Sequence, residues 1–272
     1  SNYYFKRKKN IKIFFPKKDN IISLFYHLIS IPNLLKKEKP NLVVCWMSHA
    51  NVLGGLFTFL FTKINIIWNI RSSGDEFGFF KKNFFTYIFQ TIFSYFIPNQ
   101  IIFNSKYSLN KHSELMINKK KSVVIYNGFK QNNITLKKKN KNKVNYLCVA
   151  RYHPIKNHSA LLDAFLEFDK VKKNWSLTLI GRNINKLENI FLKNKKFRSI
   201  QNKIIFKEKF KNLDKEYPKY DFHILTSISE SFPNVVGESI SYGLPALSVN
   251  VGDVKKMIFY KKFIFKDNKV KN

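Results

Sequence analysis

Two cations are the first residues of this sequence whose type and spacing could do chemistry. Arg151 directly follows an apolar run that ends at Ala150, and Lys156 lies five residues further on, just before an amphipathic stretch. Two cations beside a helix N-terminus suit a diphosphate, because the side chains and the helix dipole both favour negative charge. The alternative is that both are ordinary surface cations of a very basic chain.

Two carboxylates form the second such group. Glu230 and Glu238 bracket the Phe-Pro-Asn turn at 232–234, which precedes a helical pattern that begins near Val235. Only 17 of the 272 residues are Asp or Glu, so two carboxylates around one turn are informative. A carboxylate can accept hydrogen bonds from vicinal hydroxyls, such as those of a sugar or a ribose. The alternative is one helix-capping acid and one solvated acid.

The elements that must position these residues follow a strand–helix alternation. Continuous apolar strands alternating with amphipathic helices predict an α/β fold of two doubly wound, Rossmann-like domains. The polar and basic segment 130–142 predicts a linker between a first domain at 1–129 and a second domain at 143–272. Ligands of such sheets bind at the carboxyl ends of the strands, so the site is expected in the cleft between the domains.

The pattern also predicts the position of each element. In the first domain it predicts strands at 11–15, 42–46, 64–70, 100–104 and 122–126, and helices at 20–37, 51–62, 83–97 and 106–116. In the second domain it predicts strands at 144–150, 176–180, 203–206, 221–225 and 245–249, and helices at 157–171, 185–195 and 235–242. Asn157 is expected to cap the first of these last three helices.

Six segments together resemble family 4 of the glycosyltransferases. Residues 230–238 with Tyr242-Gly-Leu-Pro are similar to the family's glutamate-x7-glutamate signature, and residues 149–156 resemble its donor-phosphate segment. The other four are similar to its next strand, its interdomain crossover and two segments of a polysaccharide-assembly branch: 177–181, 124–128, 46–54 and 67–72. The matches run in a consistent order from about residue 38 to 254.

The resemblance implies an activity and a fold. The fold would be GT-B, with a cleft between its two domains. The activity would be that of a retaining glycosyltransferase that needs no metal or other cofactor. It would transfer a sugar from a nucleotide diphosphate sugar to a glycan or a lipid-linked acceptor in polysaccharide or lipopolysaccharide assembly. A sugar-nucleotide epimerase on the same fold, or an inactive fragment, is the alternative.

The resemblance also implies roles for individual residues. Arg151 and Lys156 would hold the donor diphosphate and stabilise charge on the leaving group. Glu230 would contact the donor sugar, and Glu238 would bind the ribose hydroxyls. Other contacts to the donor or the cleft would come from the backbone of Phe232, Pro233, Asn234 and Val235 and from the side chains of His49 and Arg71.

The chain departs from the family's pattern at two positions of the site and at both ends. Ser231 stands where the family has Gly, and Gly237 stands where a larger apolar residue is common. Residues 1–20 do not resemble the family's glycine-rich start, and 253–272 stop where further helices are expected. We therefore expect truncation at both ends and an incomplete first domain.

The charge and the cysteines bear on partners and compartment. The net charge is +32, which is consistent with base-composition drift and also with attraction to anionic lipid at the cytoplasmic membrane face. Specific nucleic-acid binding is not expected, because the aromatic residues lie in apolar runs that are typical of a core. Cys45 and Cys148 are expected to be buried thiols of a reducing cytosol.

The longest apolar stretch runs from Phe84 to Ile97. It is shorter than the ~20 residues that a bilayer span needs. We expect a buried core helix here, with a membrane-facing helix as the alternative.

Overall fold

The computed structural model describes residues 21–75, 84–132, 142–208 and 212–266, with side chains from residue 30 onward. The strand predicted at 11–15 and most of the linker lie outside the described residues. The elements are, in chain order, α1 (Ile21–Glu38), β1 (Leu42–Trp46), α2 (Gly55–Phe61), β2 (Asn65–Ile70), α3 (Phe84–Phe93), β3 (Gln100–Phe103), α4 (Lys106–Glu114), β4 (Ser122–Val124), β5 (Val144–Val149), α5 (His158–Val171), β6 (Trp175–Ile180), α6 (Ile184–Lys193), β7 (Ile204–Lys207), β8 (Phe222–Leu225), α7 (Asn234–Ser241), β9 (Ala246–Val249) and β10 (Ile264–Phe265).

The N-terminal half contains a parallel sheet in the order β1-β2-β3-β4. Alternate residues of its strands pack against α2, α3 and α4, around the fully buried Trp68, Ile101 and Phe103. The row Trp46, Asn69, Ile102 and Val123 belongs to the other face, and Trp46 and Val123 are exposed there. The described helices therefore cover one face of this sheet.

The C-terminal half contains a six-stranded parallel sheet in the order β10-β9-β8-β5-β6-β7. The chain moves outward from β5 to β6 and β7, and then returns to place β8 on the other side of β5. This reversal makes the sheet doubly wound and creates a topological switch point between β5 and β8. The α/β fold with two parallel sheets confirms the predicted fold class.

Most predicted elements are present, and the differences have local causes. Residues 50–54 form a π-helical turn ahead of α2, so the predicted helix at 51–62 is not one regular helix. At its junction with α2, a Cβ on Gly55 would lie 2.8 Å from the indole nitrogen of Trp68, so this turn is pressed against β2. Asn157 occupies the N-cap of α5, but in a left-handed conformation (φ 51°) whose side chain makes no capping bond.

The prediction of a buried core helix at Phe84–Ile97 is wrong for α3. Only Tyr87 and Gln90 are buried within this helix, whereas Phe85 and Phe89 are exposed. Within the described residues, no helix combines the length and the apolar character needed to cross a membrane. Both cysteines are free and buried as predicted, and burial raises the pKa of Cys45 to about 11 and of Cys148 to about 12.

Two buried histidines predict a loss of stability in mild acid. Burial lowers the pKa of His158 to about 4 and of His223 to about 3, and neither ring has a hydrogen-bond partner among the described residues. Since the unfolded chain binds these protons below pH ~6.5, each histidine should lower the free energy of unfolding by up to about 1.4 kcal/mol per pH unit below that value. Urea denaturation at pH 7.5, 6.0 and 5.0 measures this slope. His223→Leu should reduce it and the exposed-site control His49→Leu should not; equal slopes in all three proteins would contradict the assignment.

Candidate active site

A cleft of about 510 Å³ lies between the two halves, at the carboxyl ends of strands from both sheets. On the C-terminal side it lies where β5 and β8 separate, the position at which open α/β sheets bind ligands. Seven of the predicted site residues on this side line it: Arg151, Lys156, Glu230, Phe232, Pro233, Asn234 and Val235. The N-terminal half contributes Arg71, Ser72, Ser73 and Asn104.

An ion pair links the two predicted chemical groups. The Lys156 ammonium donates to Oε1 of Glu230 at 2.5 Å, and the Ser227 hydroxyl donates to the same oxygen at 2.8 Å. Both charged side chains are largely buried, with 21% and 16% of their surface exposed. Because one N–H of the ammonium is engaged by Glu230, two N–H donors of Lys156 remain for a ligand in the cleft.

The backbone around Lys156 is fixed to the end of β8. Lys156 ends a 3-10 turn that begins at Pro154, and the following Asn157 is left-handed. The Thr226 hydroxyl donates to the carbonyls of Lys156 and Asn157, and the amide of Ile228 donates to the carbonyl of Ile155. The sequence pattern did not predict these contacts between the end of β8 and the turn that carries Lys156.

Arg151 follows β5 at a point of close backbone approach. A Cβ on Gly181, which follows the neighbouring strand β6, would lie 1.9 Å from the carbonyl oxygen of Ala150. Only glycine fits there, and its absence of a side chain leaves the floor of the cleft open beside Arg151. The Arg151 side chain is exposed and supplies a second cation to the cleft.

Aromatic packing holds the turn between Glu230 and α7. The ring of Phe232 packs against Tyr126, with centroids 5.3 Å apart, and stacks on Phe129 at 6.1 Å. A Cβ on Gly237 would lie 2.1 Å from the Phe129 ring, so glycine at this position admits the ring. This contact gives a physical reason for one departure from the family pattern.

Glu238 lies in the second turn of α7 and is half-buried. Its Oε2 accepts a hydrogen bond from the hydroxyl of Tyr217 at 3.0 Å. Burial, together with the nearby Glu238, raises the pKa of Tyr217, so its hydroxyl stays protonated as the donor. Glu238 is not among the residues that line the described cleft, and its role as a ribose ligand stays a prediction.

His49 and Arg71 occupy different environments. His49 is exposed, precedes the π-helical turn and is not among the residues that line the described cleft. Arg71 lines the cleft, lies 5.3 Å from the centre of the Trp46 ring and donates to Oδ1 of Asn127 at 2.7 Å. Both assignments stay predictions, with Arg71 the better placed of the two.

A network of hydroxyl, amide and carboxylate groups joins the two halves beside the cleft. The buried Ser231 hydroxyl lies 2.6 Å from Oδ1 of Asn104 and 2.8 Å from the hydroxyl of Ser105. The Asp253 carboxylate accepts hydrogen bonds from the amides of Lys106 and Tyr107 at 2.6 and 3.1 Å.

A second group of contacts in this network is centred on Ser229. Its hydroxyl donates to the Asp75 carboxylate at 2.6 Å and lies 2.7 Å from the Ser73 hydroxyl, which can donate to it. Sequence reasoning missed the residues of this network. The Ser in place of Gly at 231 was the available signal, since a hydroxyl introduced into a tight loop needs a partner.

A sequence model of the family described as glycosyl transferases group 1 matches residues 129–272. The chain therefore belongs to this family. A search of curated proteins gave no significant sequence match.

Several solved structures are similar in fold. HepE of Anabaena, in a complex with UDP and glucose, superposes with a TM-score of 0.75 at 15% identity, covering 94% of this chain and 73% of that one. A glycosyltransferase of Rickettsia africae gives 0.69 at 17%, covering 94% and 69%. The lipopolysaccharide outer core galactosyltransferase WaaB gives 0.64 at 18%, covering 87% and 64%. These likenesses support the GT-B fold.

The hydrogen bonds of Ser231 predict that one hydroxyl contributes measurably to holding the two halves together. Ser231→Ala removes two buried inter-half hydrogen bonds, so the free energy of unfolding should fall by about 1–3 kcal/mol. The radius of gyration from small-angle X-ray scattering should also rise, because the halves separate more readily. Ser122→Ala removes a hydroxyl bond within the N-terminal half and is the control. A rise in radius with both variants, or with neither, would contradict an inter-half role for Ser231.

Proposed function

We propose that this chain transfers a sugar from a nucleoside diphosphate sugar to a glycan or a lipid-linked acceptor, with retention at the anomeric carbon. The observation that carries the proposal is the meeting of Arg151, Lys156 and Glu230 in one cleft at the switch point of the C-terminal sheet, within the segment that matches the family. The solved complexes of HepE with UDP, glucose and UDP-glucose make a uridine nucleotide the first donor to test.

The donor diphosphate would bind between Arg151 and Lys156. The Arg151 guanidinium and the Lys156 ammonium attract a diphosphate more strongly in the cleft than they would in water, because the local dielectric constant is lower. The N-terminus of α7 adds backbone amides at Asn234 and Val235, whose residues line the same cleft. In this assignment phosphate charge is balanced by the protein's own cations, and no metal is assigned a role.

The sugar would lie against the turn that begins at Glu230. When the bond from the anomeric carbon to the phosphate oxygen breaks, the electron pair passes to the leaving diphosphate, where Arg151 and Lys156 stabilise it. The acceptor hydroxyl forms the new bond to the anomeric carbon, and its proton passes to the oxygen of the leaving diphosphate. Glu230 Oε1 already accepts bonds from Lys156 and Ser227, so we assign Glu230 to sugar contact rather than to a covalent intermediate.

The acceptor would reach the cleft from the N-terminal half, where Arg71 and Ser73 line it. We propose His49 as a further contact to the donor sugar or acceptor. The setting would be the assembly of cell-surface polysaccharide or lipopolysaccharide at the cytoplasmic membrane face, to which the net charge of +32 would attract the protein.

The diphosphate and ribose assignments are tested by two substitutions. Lys156→Ala should lower kcat for release of UDP from UDP-glucose or UDP-N-acetylglucosamine by about 100-fold, because a transition-state cation is lost. Glu238→Ala should raise KM by about tenfold, because a hydroxyl ligand is lost. The controls Lys186→Ala and Glu188→Ala change the same residue types on α6. Unchanged kinetics in both test variants would show that the donor site is wrongly placed.

Tyr217 is expected to act as a positioning residue. Tyr217→Phe deletes only the hydroxyl that donates to Glu238, so the carboxylate loses its fixed orientation. We expect KM for the donor to rise about three- to tenfold while kcat changes less than twofold. Isothermal titration with UDP gives an independent measure of the same loss. If Tyr217→Phe lowers kcat and leaves KM and UDP affinity unchanged, Tyr217 does not act through Glu238.

A further inference from the structure

The helix α3 is amphipathic in the reverse of the usual sense. Phe85, Phe89, Ile92 and Phe96 follow one another at intervals of four, three and four residues and lie along one side of the helix and its C-terminal turn. They are 73%, 47%, 49% and 68% exposed. A surface helix of a soluble domain normally turns such a stripe toward the core.

The opposite side of the same helix faces the protein, and this side carries polar groups. Gln90 and Ser94 are fully buried, and Tyr87 is nearly so. Phe93 and Ile97 pack on the core of the N-terminal sheet and set the orientation of the helix. The exposed stripe therefore points away from the sheet, and it lies apart from the cleft and from the uncovered sheet face.

The apolar surface continues beyond the helix. The Tyr95 hydroxyl donates to the carbonyl of Met116 at 3.1 Å, and the Thr91 hydroxyl lies 3.4 Å from the carbonyl of Leu115. Leu115 and Met116 follow α4 directly and are both exposed, Met116 by 72%. The stripe and these two residues with Tyr95 form one apolar surface, which we call the α3 face.

A set of lysines borders the α3 face. Lys119 and Lys120 are exposed in the turn just after Met116, and the Lys121 ammonium donates to the carbonyls of Tyr95 and Pro98 at 2.8 Å each. Among the nearby acids, Glu114 is already paired with Lys111 at 3.0 Å. The border is therefore positively charged, and its partner should be apolar and negatively charged.

We infer that the α3 face docks on an anionic lipid bilayer. Exposed Phe and Met beside a row of lysines match the boundary between acyl chains and acidic headgroups, where aromatic rings insert and ammonium groups stay at the surface. A soluble protein partner would need to supply both an apolar groove and an acidic rim, whereas an anionic bilayer supplies both along its whole surface. The inference is independent of the donor site, because none of its residues lines the cleft.

Vesicle co-sedimentation tests the inference. The full chain should bind vesicles in which about one third of the phosphatidylcholine is replaced by phosphatidylglycerol, and should bind pure phosphatidylcholine at least about tenfold less. Phe85→Ser with Phe89→Ser should lower binding to the anionic vesicles about tenfold or more, and so should Lys119→Glu with Lys120→Glu. The matched control is Phe259→Ser with Tyr260→Ser, two exposed aromatic residues of the C-terminal half.

Two further measurements keep the outcome clear. Phe89→Trp should give a larger blue shift of tryptophan emission with anionic vesicles than the parent protein, which already contains three Trp, and this difference reports insertion rather than attraction alone. UDP affinity should be the same in all docking variants, so a wrong donor site and a wrong docking face fail in different assays. The inference is overturned if the aromatic control loses as much binding as Phe85→Ser with Phe89→Ser. It is also overturned if that variant instead abolishes a dimer seen by light scattering while vesicle binding is unchanged.

Discussion

The carboxylate of Asp253 accepts hydrogen bonds from two amides at the N-terminus of α4, and the geometry of the cleft depends on this contact. It places a negative charge from the C-terminal half at the positive end of a helix in the N-terminal half. The amide of Asp253 also donates to the carbonyl of Ser231, so the same short segment holds the loop that carries Glu230. Gly252, at φ 53°, permits this because a Cβ would lie within 2.5 Å of the carbonyl oxygens of Glu230 and Ser231. A bulkier residue there would displace the turn from the cleft.

Within the cleft so formed, positive charge is distributed unequally. Lys156 is largely buried and neutralised by Glu230, whereas Arg151 is exposed. Two buried charges of opposite sign offset each other's desolvation, so Lys156 can be held in place before any ligand arrives. A bound diphosphate would then meet one fixed and one adaptable cation. In our assignment Glu230 contacts the sugar, and its ion pair with Lys156 also places it close to the phosphates.

Much of this arrangement is predictable from sequence, because continuous apolar strands and residue types at strand ends are local signals. Arg151 and Lys156 were placed correctly after β5 since parallel strands bring their carboxyl ends to one edge. The serine at 231, where the family has glycine, signalled that a partner was needed, but Asn104 could not be predicted as that partner because it lies 127 residues away in the chain. The outward stripe of α3 was only the alternative to a buried core helix, for a different reason. An apolar helix is expected to bury its apolar side only when its other side is polar enough to face water. In α3 the buried side carries Gln90 and Ser94, and the apolar side is exposed.

The packing of Phe129 against Phe232 and Gly237 determines which part of the chain moves with which half. Phe129 precedes β5, yet its ring packs on the turn and helix of the C-terminal half, so the end of the crossover moves with that half. The described bonds that remain across the cleft beside it are those of serine hydroxyls, asparagine amides and aspartate carboxylates, which water can replace one for one. Apart from the contact of Tyr126 with Phe232, separating the halves there breaks polar contacts rather than apolar ones. Under the proposed function, the crossover ahead of Phe129 would be the hinge about which the two halves rotate to admit a donor and release a nucleotide.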